Sequence, residues 1–203
     1  FPAGGSSDSV PRPLQAGMQE RLGSTIIIEN RPGASASIGG ALVAKSPPDG
    51  ATWLIAADTF IVSSLLMKSL PYDVQKDFEP VTMVARGAMV LCAPTVKPYR
   101  TLAEVITAAK SKPETLTFAT TGIGSNGHMT VAAICQFAGI KMVHVPYRGV
   151  APAQNDAIAG HVDLIISSTA SLAPLIEAGR LRALVQCGEK RAAISKPAAA
   201  ARR

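Results

Sequence analysis

Aromatic side chains are scarce in this 203-residue chain, at 4% of residues, and the basic residues are scattered rather than clustered. Without rings to stack on bases and without a basic stripe, the chain offers no nucleic-acid platform, despite a formal net charge of +6. That charge is the ordinary attribute of a solvated surface, and it leaves small anions as candidate ligands. Long apolar runs are lacking too: no stretch reaches the roughly 18 residues that a membrane-spanning helix needs. Cysteine is limited to Cys92, Cys135 and Cys187, odd in number and irregularly spaced, which suits neither a disulfide framework nor a zinc site. Cys92 and Cys135 lie among apolar neighbours, with no cation nearby to make a thiolate nucleophile. No cluster has metal-ligand spacing.

What is present is an apolar, globular composition, 47% hydrophobic and 17% charged. β-Branched runs alternate with helical segments of about ten residues, the signature of βαβ units. "STIIIEN", "ATWLIAAD", "VTMVA" and "AMVLCAP" read as strands, followed by "TLTFAT", "MVHVPY", "VDLIIS" and "LRALVQC". Helices fall between them, and "TVKPYR" reads as a hinge. The expected fold class is α/β, with mostly parallel sheets flanked by helices. The ending "RAAISKPAAAARR" lacks a periodic apolar face. The opening "FPAGGSSD" is a helix-entrance loop: Asp8 is placed to cap the helix in "SVPRPLQAGMQERLG", and Gly23 to end it. No strand leads into that loop, so the fold is expected to lack its first strand.

Parallel sheets collect ligands at the carboxyl ends of their strands. "TTGIGSNGH", "PYRGVAPA" and "SSTAS" all follow strands there and are rich in small or hydroxyl residues. Together with "FPAGGSSD" they make four helix entrances stocked with donors for an anion. Two enzyme readings compete for the same loop. Gly122, Gly124 and Gly127 spell G-x-G-x-x-G, but the next strand ends in Tyr147 and Arg148, with no carboxylate for a ribose. Ser125 and His128 could form a nucleophile–base pair, yet Ile123 breaks the G-x-S-x-G elbow, and a serine there also caps a helix. Asp58 and Asp163 could be imagined as acid and base, but nothing pairs them.

Taken in order, "FPAGGSSD", "ENRPGASASIGG", "VAKSPPDG", "LPYDVQKDFEPVTMVA", "TTGIGSNGH", "VHVPYRGVAPAQND", "GHVDLIISS" and "IEAGRLRAL" resemble the tripartite tricarboxylate transporter substrate-binding proteins, the Bug receptors. The resemblance runs from Phe1 to about Arg191. It implies a two-lobe periplasmic-binding-protein architecture with a ligand cleft between the lobes: lobe one over 1–98, lobe two over 99–184, and the start of a return segment with a divergent tail over 185–203. It implies a non-enzymatic receptor in the periplasm that uses no cofactor, captures a small carboxylate or related solute and hands it to membrane permease subunits; the chain is expected to be a monomer. The first strand and a signal peptide would precede Phe1, and a further stretch would return to lobe one. The binding residues it implies are Phe1, Gly4, Gly5, Ser6, Ser7 and Thr59 from lobe one. From lobe two they are Thr121, Gly122, Ser125, Asn126, His128, Gly149, Val150, Ala151, Ser167 and Ser168. The alternatives are a hydrolase or nucleotide-dependent α/β enzyme using the 121–128 loop, and a truncated remnant of the receptor that binds nothing.

Overall fold

The computed structural model describes residues 3, 5–33, 36–67 and 69–188, and the chain divides into two compact units between Arg86 and Gly87. The first unit carries helices α1 (Ser6–Ser9), α2 (Pro11–Leu22), α3 (Ser37–Ala44) and α4 (Asp58–Leu66). Two prolines open α2 and Gly23, at φ 64°, closes it, because the left-handed turn there suits a residue without Cβ. Asp8 does not cap this helix. Its carboxylate bonds the Arg12 guanidinium at 2.6 Å, one turn on. The core of this unit is a ring cluster: Phe60 stacks on Tyr72 at 5.5 Å, and Phe78 meets Phe60 edge-on at 4.9 Å.

The expected strands "STIIIEN", "ATWLIAAD" and "VTMVA" are not strands: none of the described residues before Arg86 joins a ladder. A β-branched run becomes a strand only where a neighbour takes its backbone groups. Here side chains of α2 do so instead, at Ile26: Gln19 Oε1 accepts its N–H at 3.0 Å and Gln15 Nε2 donates to its carbonyl at 2.7 Å. The apolar side chains stay in solvent, Ile27 at 83% exposed and Val81 at 78%.

The second unit is a five-stranded sheet with helices on both faces. Its elements are β1 (Met89–Pro94), α5 (Leu102–Ser111), β2 (Thr117–Thr120), α6 (Asn126–Ala138), β3 (Val143–Pro146), α7 (Val150–Ala159), β4 (Leu164–Ser168), α8 (Thr169–Glu177) and β5 (Leu181–Cys187). The spatial order is β3-β2-β4-β1-β5. The parallel expectation holds for β3, β2 and β4, whereas β1 runs antiparallel to both β4 and β5, so the sheet is mixed. Strand β1 therefore belongs to this sheet, and the compact units part at 86/87 rather than at 98. For the same reason "TVKPYR" is no hinge. It is the turn from β1 to α5, pinned by Thr95 N–H and Oγ1 on the Arg180 carbonyl at 3.1 and 3.2 Å. Strand β5 runs on to Cys187 across the expected 184/185 boundary, and 189–203 lie outside the described residues.

Strand alternation sends side chains to two apolar layers. Leu91, Leu164, Ile166 and Phe118 pack with Val105 and Ala109 of α5 and Val131 of α6. Val90, Cys92, Ala119 and Ile165 pack with Ala153 and Ala157 of α7 and Leu172 of α8. Burial holds the Cys92 thiol up at about 12, so it is an inert core residue. Asp163 is structural as well. It lies at the amino end of β4, bonded to Lys97 at 2.9 Å and to the Thr117 N–H and hydroxyl at 2.9 Å each. Burial works to raise its pKa, but the Lys97 ammonium and Thr117 outweigh that and hold the carboxyl below its ordinary range.

Amide hydrogen exchange should separate the two kinds of apolar run. The amides of Leu91, Cys92, Phe118, Ala119 and Ile165 should exchange slowly, and those of Ile27, Trp53 and Met83 fast, because exchange follows hydrogen bonding and burial. Equal protection in both sets would contradict the pairing described.

Candidate functional site

Strand β2 leads into α6 on one face of the sheet, and the chain returns as β3 beside β2. From β3 it crosses to β4, on the other side of β2, through α7 on the opposite face. Strand β4 in turn leads into α8, which packs on the α7 face, so the loops after β2 and β4 diverge and open a crevice at the carboxyl ends of these two parallel strands. Phe118 pairs with Leu164 and Ala119 with Ile165, so Thr121, the first residue after β2, and Ser167, near the end of β4, lie at the same end of these two strands. Strand alternation puts the Ser167 side chain on the α7 face, with Ile165. Neither hydroxyl has a hydrogen-bond partner among the described residues, although Ser167 is only 6% exposed.

Three helices begin around this crevice. Ser125 caps α6: its Oγ accepts the His128 N–H at 3.3 Å, and the side chain is 3% exposed. Accepting uses a lone pair, so the hydroxyl proton remains available to an anion. Ser168 caps α8 in the same way, accepting the Ser171 N–H at 3.3 Å, and the two hydroxyls lie 2.8 Å apart. Helix α7 starts at Gly149, φ 122°, with no side-chain cap, and continues through Val150 and Ala151. Its first N–H groups and the positive end of its dipole suit an anion. Gly124, at φ 74°, turns the chain into α6. Gly127 lets α6 approach β4 closely, since a Cβ there would come within 2.9 Å of Ile166 Cγ2.

Beneath the 121–128 loop lie two histidines that the sequence does not link. The His128 and His144 rings stack with centroids 4.0 Å apart and planes 12° from parallel, and His144 stacks in turn on Phe118 at 5.0 Å. His128 Nδ1 accepts the Gly124 N–H at 3.2 Å. That leaves Nε2 carrying the proton and Nδ1 occupied, so this nitrogen cannot serve Ser125 as a base. The Ser–His pairing behind the hydrolase reading lacks its acceptor. The nucleotide reading gains nothing either: Tyr147, just after β3, donates its hydroxyl to Asp156 at 2.6 Å, so that carboxylate is already engaged.

The implied binding residues thus separate by unit. Thr121, Gly122, Ser125, Asn126, His128, Gly149, Val150, Ala151, Ser167 and Ser168 come together at one end of the second sheet. Asn126 there accepts from the Thr130 hydroxyl at 3.1 Å. Phe1 and Gly4 lie outside the described residues, as does the Ser6 side chain. The Gly5 carbonyl accepts the Asp8 and Ser9 N–H groups at 3.0 and 2.9 Å, which uses two of that loop's donors in the four-residue α1 containing Ser7. Thr59 is buried in the first turn of α4, its N–H on Asp58. Thr120 and His144 were missed, because no spacing rule joins a loop threonine to a strand histidine 24 residues away.

Residues 10–201 match the family described as tripartite tricarboxylate transporter family receptor. The chain belongs to that family. It is 38% identical over 184 residues to a protein encoded between tcbD and tcbE of Pseudomonas sp. strain P51, covering 91% of this chain and 55% of that one. It is 34% identical over 186 residues to Protein BugT of Bordetella pertussis, covering 91% and 57%. The structure of Rhodopseudomonas palustris Rpa4515 with adipate superposes at TM-score 0.90 with 33% identity, over 94% of this chain and 64% of that one. MatC of the same species with bound malate superposes at 0.81 with 26% identity, over 94% and 65%. The structure of the periplasmic binding protein BugD gives 0.81 at 29% identity. The chain spans a little over half the length of these curated relatives. The family and its structural neighbours are periplasmic binding receptors of α/β architecture.

Ser125→Ala should lower stability by about 1 kcal/mol, the usual worth of a serine cap. Urea unfolding followed by circular dichroism measures it. An unchanged midpoint would show that the cap does not hold α6.

Proposed function

We propose that the chain acts as a periplasmic solute-binding receptor, not an enzyme, that captures a small carboxylate or related organic anion at the carboxyl ends of β2, β3 and β4. It serves the membrane permease subunits of a tripartite tricarboxylate-type transporter and works as a monomer. The observation that carries this reading is the pair of unpartnered hydroxyls, Thr121 just after β2 and nearly buried Ser167 near the end of β4, at the end of the sheet where three helices begin. Neutral donors at helix entrances stabilise an anion by hydrogen bonds and dipole, and they can release it again because no full countercharge is buried. Adipate and malate in the neighbouring structures support the ligand class.

A thermal-shift screen of acetate, succinate, malate, adipate and citrate tests it, since a ligand bound only by the folded state raises Tm by mass action. One or more dicarboxylates should stabilise the full chain, with no chemical change in the solute by NMR. Ser167→Ala should weaken the tightest of them by about one to two decades, the cost of one hydrogen bond to a charged group. Ester turnover, NADPH binding, or silence toward every carboxylate would overturn the reading.

A further inference from the structure

Loop 120–124 is tied down at two points, and both ties end on the stacked imidazoles. Thr120 Oγ1 donates to the Gly122 carbonyl at 3.1 Å and accepts the Gly122 N–H at 3.2 Å. His144 Nε2 lies 2.7 Å from the same oxygen. With its one proton given to Gly122, the threonine hydroxyl accepts from His144 Nε2–H. The second tie is the Gly124 N–H on His128 Nδ1. The two rings then bear on each other, face to face, against Phe118. The chain between these ties, Gly122 to Gly124, leads directly to Ser125 and the entrance of α6.

We propose that His128 and His144 are positioning residues, an uncharged ring stack that holds loop 120–124 in the shape that receives the anion. This rests on the carboxylate-receptor reading of the same loop and adds how the loop is held. The arrangement works only while both rings are neutral. A proton on His128 Nδ1 would set a donor against the Gly124 N–H, and a charge on either ring would sit against its neighbour's face. The elements that bear on the pair are β2, with Phe118 and Thr120, and the loop backbone. Among the described residues no carboxylate acts on either imidazole, and the only cation that does is the partner ring, His128 on His144. Burial alone pushes His128 below its ordinary value; burial first, and then the charge of His128, push His144 down to about 4. Both depressed values favour the neutral pair near neutrality, so the positioning is intact there and fails as the pH falls through those values. A histidine acting as a cationic clamp would give the opposite sign, with affinity rising on acidification.

Calorimetry of adipate binding to the full chain between about pH 8 and pH 4.5, with affinity referred to the fully ionised adipate present at each pH, should show a flat limb and then a loss of about tenfold or more, the size of an opposed hydrogen bond. His128→Asn, whose amide oxygen can still accept from Gly124 but does not titrate, should flatten the acid limb whatever its affinity at neutral pH. An affinity that is pH-independent or rises in acid overturns the proposal, as does an acid limb that persists in His128→Asn. A ligand-free readout stands beside it: in ¹⁵N NMR the Gly124 amide should shift with the titration of His128, at a midpoint below the ordinary imidazole value. A Gly124 amide indifferent to that titration overturns the proposal with or without a ligand. Coupling of the two without binding of adipate or any other carboxylate supports the loop clamp and refutes the receptor reading.

Discussion

At β2 the chain changes the side of the sheet on which it lays its helices, α6 on one face and α7 on the other. Every donor at the candidate site owes its place to that reversal. Had α8 packed on the α6 face, the loops after β2 and β4 would lie over the same layer and close the crevice. Because they diverge, Thr121 and the nearly buried Ser167 lie where the two loops part, and the caps Ser125 and Ser168 stand at the entrances of helices on opposite faces. The close approach of Gly127 to Ile166 fixes α6 against β4, so the entrance of that helix is held by the core.

The chemistry gathered there is neutral. Hydroxyls and backbone N–H groups surround the crevice, while a half-buried ionic pair, Lys97 with Asp163, lies at the amino end of β4. This division suits a receptor. A buried countercharge would bind an anion tightly and release it slowly, whereas several hydrogen bonds of modest net value add up to reversible binding. It also separates this site from the enzymes that share its loop motifs, since the one imidazole beside the serine cap already has Nδ1 engaged by Gly124.

The two units read differently from the sequence because their strands depend on different partners. In the second unit each β-prone run meets a neighbour from within about 100 residues, and all five predicted strands and four helices from "AMVLCAP" to "LRALVQC" form. In the first unit "STIIIEN", "ATWLIAAD" and "VTMVA" carry the same β-branched and apolar signals but join no ladder among the described residues. Propensity proposes a strand; a hydrogen-bonded neighbour makes one.

Local chemistry by itself determined where helices start and stop: Thr101 and Ser125 as caps, Gly23 and Gly139 as left-handed ends. These depend on backbone groups within a few residues, so they are legible in a window of sequence. It also determined the donor-rich loops at strand ends, from which the family resemblance and its binding residues followed. Tertiary structure alone decided that β1 runs against its neighbours, that the units part at Arg86, and that His128 comes to lie 4.0 Å from His144. Strand direction and ring stacking are set by which distant segments become neighbours, and periodicity within a segment carries no record of its partner.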